Sequence, residues 1–100
     1  MKNQDLYAGL IRLHILHHAA EDEVFGLGII NELQRHGYDL SPGTIYPMLH
    51  RMQLKGYLVS KERKLGRSIR RSYRATAAGK VVLADAKRKV QELFAELFEE

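Results

Sequence analysis

Apolar residues recur along the first third of the chain at helical intervals. Leu6, Leu10, Leu13, Leu16 and Ala20 form one stripe, and Ile11 and Ile15 widen it. The spacing predicts an amphipathic helix from Leu6 to about Ala20, with Asp5 as its N-cap. The acidic run Glu21-Asp22-Glu23 suits the positive end of a second helix, predicted from Gly26 to His36. Ile29, Ile30 and Leu33 point inward in that helix, and Gly37 is its C-terminal stop. Gly26 and Gly28 lower helix propensity, so they are expected to permit close packing or a tight turn into the helix.

A third helix begins after Leu40, with Ser41 as N-cap and Pro42 at the first helical position. Ile45, Met48, Leu49 and Met52 fall at i, i+3, i+4 and i+7 and define its buried face. The opposite face carries Gly43, Tyr46, Pro47, His50 and Arg51, with Thr44 at its flank. Pro47 removes a backbone bond to the Gly43 carbonyl and is expected to kink or loosen the first turn; Gly56 ends the helix. Tyr57–Arg63 and Ile69–Ala75 alternate as two strands, joined by a Lys64–Ser68 turn with Gly66 at positive φ. Alternation puts Arg70, Ser72 and Arg74 on one face of the hairpin, and Arg71 and the core residue Tyr73 on the other. Thr76 caps a last helix of about 22 residues, on the order of 33 Å long. The fold class is mostly α with a small β hairpin: a winged helix-turn-helix over residues 1–75, and a long C-terminal dimerisation helix over 76–100, in one unit.

Charge sharpens this picture. Seven of the 14 residues from Lys61 to Arg74 are basic (Lys61, Arg63, Lys64, Arg67, Arg70, Arg71, Arg74) and only Glu62 is acidic. The segment carries +6 against +4 for the whole chain, which leaves −2 elsewhere. Such a local patch beside a groove-sized helix is the footprint of a nucleic-acid binder. There is no cysteine, hence no disulfide framework or thiolate metal site. The start lacks a signal-peptide apolar core and no apolar run reaches membrane-spanning length, so a cytoplasmic location without membrane association is expected. No nucleophile–base pair, paired carboxylates or phosphate loop is present, so an enzyme is not expected.

Several segments in order resemble the PadR family of transcriptional regulators. They are Phe25-Gly26, Ser41-Pro42-Gly43-Thr44-Ile45-Tyr46-Pro47-Met48-Leu49, Leu54-Lys55-Gly56-Tyr57-Leu58, Arg70-Arg71-Ser72-Tyr73-Arg74 and Thr76-Ala77-Ala78-Gly79. The resemblance covers nearly the whole chain, and the single C-terminal helix is similar to the short-tailed branch of that family. Gln53 and Ala75 depart from the family's usual glutamate and larger aliphatic, and no acidic residue near Thr76 completes a capping box. The resemblance implies a homodimeric repressor that binds inverted-repeat operators in double-stranded DNA and is released by a small molecule. The rival reading is a winged-helix interaction module whose basic wing meets an acidic protein.

On the first reading, Ser41, Gly43, Thr44, Tyr46, Pro47, His50 and Arg51 meet the groove. Lys61, Arg63, Lys64, Arg67, Arg70 and Arg71 meet phosphates, led by Arg67, Arg70 and Arg71. Tyr46 serves equally well as a contact or as an anchor onto helix two. Leu83, Ala86, Val90, Leu93 and Leu97 step at heptad intervals, with Val82, Phe94 and Phe98 alongside, and Leu6, Leu10 and Leu13 offer the complementary surface. An apolar helix of that length is too long for the rest of the chain to cover, which favours a homodimer. A hydrophobic or aromatic effector would lie between the first and last helices, against Phe94, Phe98, Leu10 and His14. Glu96, Glu99 and Glu100 sit at the negative helix end, so the last turn is expected to fray. His14, His17 and His18 beside Glu21 have metal-site spacing, but with no second ligand cluster the favoured reading is surface and interface histidines, with no metal or other cofactor.

Overall fold

The computed structural model describes residues 2–99. Its elements in order are α1 (Gln4–Glu21), β1 (Val24–Phe25), α2 (Gly26–Arg35), α3 (Pro42–Leu54), β2 (Leu58–Leu65), β3 (Ser68–Ala75) and α4 (Ala77–Phe98). Helix α1 starts earlier than its apolar stripe, because Asn3 adopts a left-handed conformation (φ 60°) and becomes the N-cap. Asp5 is therefore not the cap; it sits in the first turn, where a carboxylate still complements the helix dipole.

Two amphipathic faces share α1. Ile11, Ile15, Leu16 and Ala19 are buried with Ile29, Leu33, Leu40, Ile45, Met48, Leu49, Met52, Leu58, Tyr73 and Leu83 in one core. Leu6 and Leu10 are exposed on the other face. The α3 periodicity holds, with Ile45, Met48, Leu49 and Met52 all inside. The helix runs unbroken through Pro47. Gly37 and Gly56 take positive φ (90° and 84°) as the chain leaves α2 and α3.

The sheet has three antiparallel strands in the order β1-β3-β2. The third strand, β1, pairs Val24 with Tyr73 and Phe25 with Ser72; two residues are too short to register as an alternating pattern. The Glu21-Asp22-Glu23 run is accordingly not a lead-in to α2: Glu21 completes α1 and Glu23 precedes β1. The hairpin is also longer and its turn tighter than its sequence implies. Leu65 pairs with Ser68, leaving only Gly66 and Arg67 in the loop. Positive φ at Gly66 (62°) and not at Arg67 is the sign pattern of a type II′ turn, which matches strand twist.

Helix α4 is locked to the end of the sheet by one threonine. Thr76 Oγ1 accepts a hydrogen bond from Gly79 N at 2.9 Å and donates to the Gly56 carbonyl, while Thr76 N donates to Tyr57 O at 3.0 Å. Capping thus proceeds without an acidic partner. A Cβ at Gly79 would collide with the Tyr57 carbonyl oxygen, so only glycine lets α4 cross the chain here. Beyond Leu83 the helix leaves the core, and it remains helical to Phe98 with Glu99 N donating to Ala95 O. Glu96 lies within the helix and Glu99 is its extended C-cap; Glu100 lies outside the described residues.

Candidate nucleic-acid interface

The solvent face of α3 is the one that the sequence marks for reading. Ser41, Gly43, Pro47, His50 and Arg51 are exposed and Thr44 is half-buried. Ser41 is the N-cap, but its hydroxyl caps no backbone N–H; its Oγ lies 3.4 Å from Thr44 Oγ1. Tyr46 packs as an anchor onto α2 and remains partly accessible. Its ring lies against Gly26, where any Cβ would overlap it, yet 40% of the residue stays exposed beside Ile69 and Arg71 of the wing. Gly26 therefore exists for Tyr46. Gly28 has nothing within 4 Å of a Cβ position, so the expectation of close packing fails there.

The wing's charge is sorted by strand register. Glu23, only 9% exposed, takes a two-pronged ion pair from Arg63, with Nε to Oε1 at 2.7 Å and Nη2 to Oε2 at 2.8 Å. Arg74 Nη2 lies 3.8 Å from both Glu23 and Asp22. The Arg63 hydrogen bonds are the main cause holding the Glu23 carboxyl below its ordinary pKa, and Glu23 in turn raises that of Arg63. Ser72, buried beneath this pair, donates to the Lys61 carbonyl at 3.4 Å. On the other face Arg71 donates to Ser60 Oγ at 3.1 Å and approaches Glu62 at 3.8 Å. Burial, first of all, raises the Tyr73 pKa and keeps this core phenol neutral.

Two expectations change as a result. Arg63, a predicted phosphate contact, is engaged by an acid from a strand that sequence patterning misses. The seven like charges are also less frustrated than their sequence implies, because Asp22, Glu23 and Glu62 answer three of them. Lys61, Lys64, Arg67 and Arg70 are exposed and make no salt bridge among the described residues.

The heptad stripe of α4 divides in the same way. Leu83 is buried in its own domain and Ala86 is half-buried, whereas Val90, Leu93, Phe94 and Leu97 are 43–63% exposed. Leu6 (72%) and Leu10 (44%) are exposed on α1, with Leu13 partly buried. Leu83 is thus a core residue, since α4 lies on α1 at that level. Between the two helices runs an open groove of about 480 Å³ lined by Leu10, Leu13, His14, His17, Ala86 and Val90, among others. Phe94 and Phe98 do not line it; they lie further along α4 with ring centroids 4.9 Å apart.

A cluster that the sequence pattern leaves incomplete closes between α1 and α2. The donor nitrogens of His14, His18 and His36 lie within 4.8 Å of one another, and Glu32 Oε1 is 3.5 Å from Nε2 of both His18 and His36. His17, His18 and Glu21 form a second group that shares His18. Burial, then the neighbouring His36, His18 and His17, lower the His14 pKa, against a smaller opposing effect of Glu32.

Three helices, a wing on a three-stranded sheet and an exposed third helix define the winged helix-turn-helix class, a fold that commonly serves DNA binding. Residues 15–85 match the model of the Transcriptional regulator PadR-like family. The chain is 52% identical over 87 residues to Transcriptional regulator Rv3488 of Mycobacterium tuberculosis, covering 87% of this chain and 81% of that protein. The chain belongs to the PadR-like family. Its fold is similar to a PadR-like transcriptional regulator from Bacillus cereus (26% identity, TM-score 0.81, 96% of this chain and 98% of that one). It is likewise similar to a PadR family regulator from Eggerthella lenta (25%, 0.78, 93% and 79%). No helix among the described residues is long and apolar enough to cross a membrane.

Proposed function

We propose that the protein is a cytoplasmic, homodimeric repressor that binds an inverted-repeat operator in double-stranded DNA and is released by an effector. The observation that carries this reading is the pairing of an exposed α3 face with four uncompensated wing cations, Lys61, Lys64, Arg67 and Arg70. Helix α3 enters the major groove with Thr44, Tyr46, Pro47, His50 and Arg51, and Ser41 and Gly43 approach the backbone at its N-terminus. Gly43 fits this: a Cβ there would meet only Ser41 Oγ at 3.7 Å, so internal packing does not require glycine, and the missing side chain leaves room for an external backbone. Arg71, on the α3 side of the wing, exchanges Glu62 for phosphate.

Dimerisation joins Leu6, Leu10 and Leu13 of one protomer to Val90, Leu93, Phe94 and Leu97 of the other. It sets two reading helices about one DNA turn, roughly 34 Å, apart, which demands a palindromic site. The protein acts as a binder, not a catalyst, with residues 1–75 as the DNA-binding part and 76–100 as the dimerisation helix. The groove beside Leu10 and His14 is the place for an effector. Fluorescence-anisotropy titration with the upstream promoter fragment of its own gene and with scrambled duplex tests the reading. Tight binding to the promoter well above the scrambled control at physiological salt is expected. Equal, steeply salt-sensitive binding to both leaves a charged surface alone and favours an acidic protein partner.

A further inference from the structure

Helices α1 and α2 each present a pair of metal-ligating side chains one turn apart. His14 and His18 are four residues apart on α1, and Glu32 and His36 are four residues apart at the end of α2. The fold sets the two pairs face to face. Glu32 Oε1 lies 3.5 Å from His18 Nε2 and 3.5 Å from His36 Nε2, and the His14 ring stacks on His36 with centroids 4.5 Å apart. Tyr38 packs edge-on against His14 at 5.6 Å and Tyr7 against Tyr38 at 6.2 Å, so an aromatic wall backs the cluster.

In a tetrahedral centre with bonds of about 2.0–2.1 Å, neighbouring donors stand roughly 3.3–3.4 Å apart. The two Glu32 separations already approach that edge length. The three imidazoles each bring a donor nitrogen within 4.8 Å of the other two, while Glu32 stands outside that trio and reaches His18 and His36. His18 and Glu32 are 28% and 27% exposed and His36 is 44% exposed, which leaves a path for an ion and its waters.

We propose that His14, His18, Glu32 and His36 form a binding site for a divalent ion of the zinc, cobalt and nickel class. Three imidazoles and one carboxylate without a thiolate suit these borderline ions, and magnesium or calcium would find too few oxygens. The bound ion ties α1 to the last turn of α2, directly before the Gly37–Ser41 connection to α3. Its ligand His14 also lines the groove between α1 and α4. The ion is therefore placed between the dimer surface and the reading helix, and it acts as an effector of its own, distinct from a small molecule in the groove, that alters operator affinity. This last step rests on the DNA-binding reading above; the site itself does not.

The test uses the full, untagged chain. Cobalt(II) and zinc(II) chloride are titrated into the wild type, His36→Ala, Glu32→Gln and the double variant His17→Ala/Glu21→Gln, with circular dichroism to show that each is folded. Visible cobalt absorption and calorimetry are expected to give one ion per protomer. His36→Ala and Glu32→Gln should weaken binding by at least roughly tenfold to a hundredfold, the loss that even an outer-shell partner brings, and His17→Ala/Glu21→Gln should leave it near wild type. No cobalt band, or binding lost only in the His17/Glu21 variant, overturns the site. In a second arm, zinc should change operator affinity at least tenfold in the wild type and not in His36→Ala. An ion that binds with no change in operator affinity overturns the effector role. Absence of specific DNA binding with or without zinc defeats the DNA-binding reading while leaving the titration result intact.

Discussion

The sharpest consequence of the wing's register concerns which arginines reach phosphate. Lys61, Lys64, Arg67 and Arg70 make no salt bridge among the described residues, whereas Arg63 is held by Glu23. If each free cation and Arg71 meets one phosphate, a dimer makes ten contacts, and log Kobs falls with log[salt] at a slope of about −9. Replacing Arg67 and Arg70 by alanine removes four contacts per dimer and leaves a slope of about −5.4. Raising salt fourfold should then cost the wild type roughly five decades of affinity and the variant about three. The charge-balanced double variant Glu23→Gln/Arg63→Gln removes an arginine of the same segment at no change in net charge. It should keep the slope within about one unit of wild type, because Arg63 is already spent inside the protein. Anisotropy titrations against one operator duplex from 50 to 200 mM salt (about the range over which such slopes are read) compare the three proteins. If the Glu23/Arg63 variant flattens the slope as much as the Arg67/Arg70 variant, the division into anchored and free cations is wrong.

Gly79→Ala, which in an ordinary helix interior gains up to about 1 kcal/mol, should here lose roughly 1–3 kcal/mol through the clash with the Tyr57 carbonyl; an unchanged or raised urea midpoint would contradict the proposed crossing. If the protein is the proposed homodimer, Leu93→Asp should dissociate it in analytical ultracentrifugation, since two symmetric losses of about 1.5–3 kcal/mol raise the dimer Kd by at least roughly a hundredfold; an unaltered dimer would remove α4 from the interface, and a monomeric wild type would refute the dimer itself. The Glu23 carboxyl has a folded pKa below its ordinary 4.5, so its stabilising effect is complete above that value and is lost as pH falls through the lower folded value. The gap in urea midpoint between wild type and Glu23→Gln should accordingly be full near neutral pH and close at strongly acid pH; a gap that stays constant argues against the Arg63 pair.

Local pattern carried the helices and the hairpin, because the period of Ile45, Met48, Leu49 and Met52, the Thr76 cap and Gly66 are all readable within a few residues. What escaped is non-local. Two-residue β1 has no period of its own, and only pairing with β3 makes it a strand. The same cause hid the Arg63–Glu23 pair, whose members are 40 residues apart. It also hid His36, which joins His14 and His18 of α1 in one group, and Glu32 beside it. Leu83 looked equivalent to Val90 and Leu93 in the heptad stripe. Only the crossing of α4 over α1 decides that it faces inward.

The misread acids bear on function as well as on fold. A hairpin with seven cations and one acid would be pushed apart by its own charge and would have no fixed position. By placing Asp22 and Glu23 immediately before β1, the chain gives the base of the wing two counter-charges at the edge strand. Arg63 and Arg74 are drawn to that edge, and Ser72 is sealed beneath them. The wing is then held as an extension of the sheet, and the cations left over lie toward its tip and outer strand. Neutralising part of the patch therefore does not weaken a phosphate-binding surface; it fixes the geometry from which Arg67 and Arg70 reach outward. Tyr46, seated on Gly26 and beside Arg71, couples that same wing to α3. On the proposed reading, groove and backbone contacts are set by one unit, and a change at Glu23 should alter operator affinity through position even where it leaves the salt slope alone.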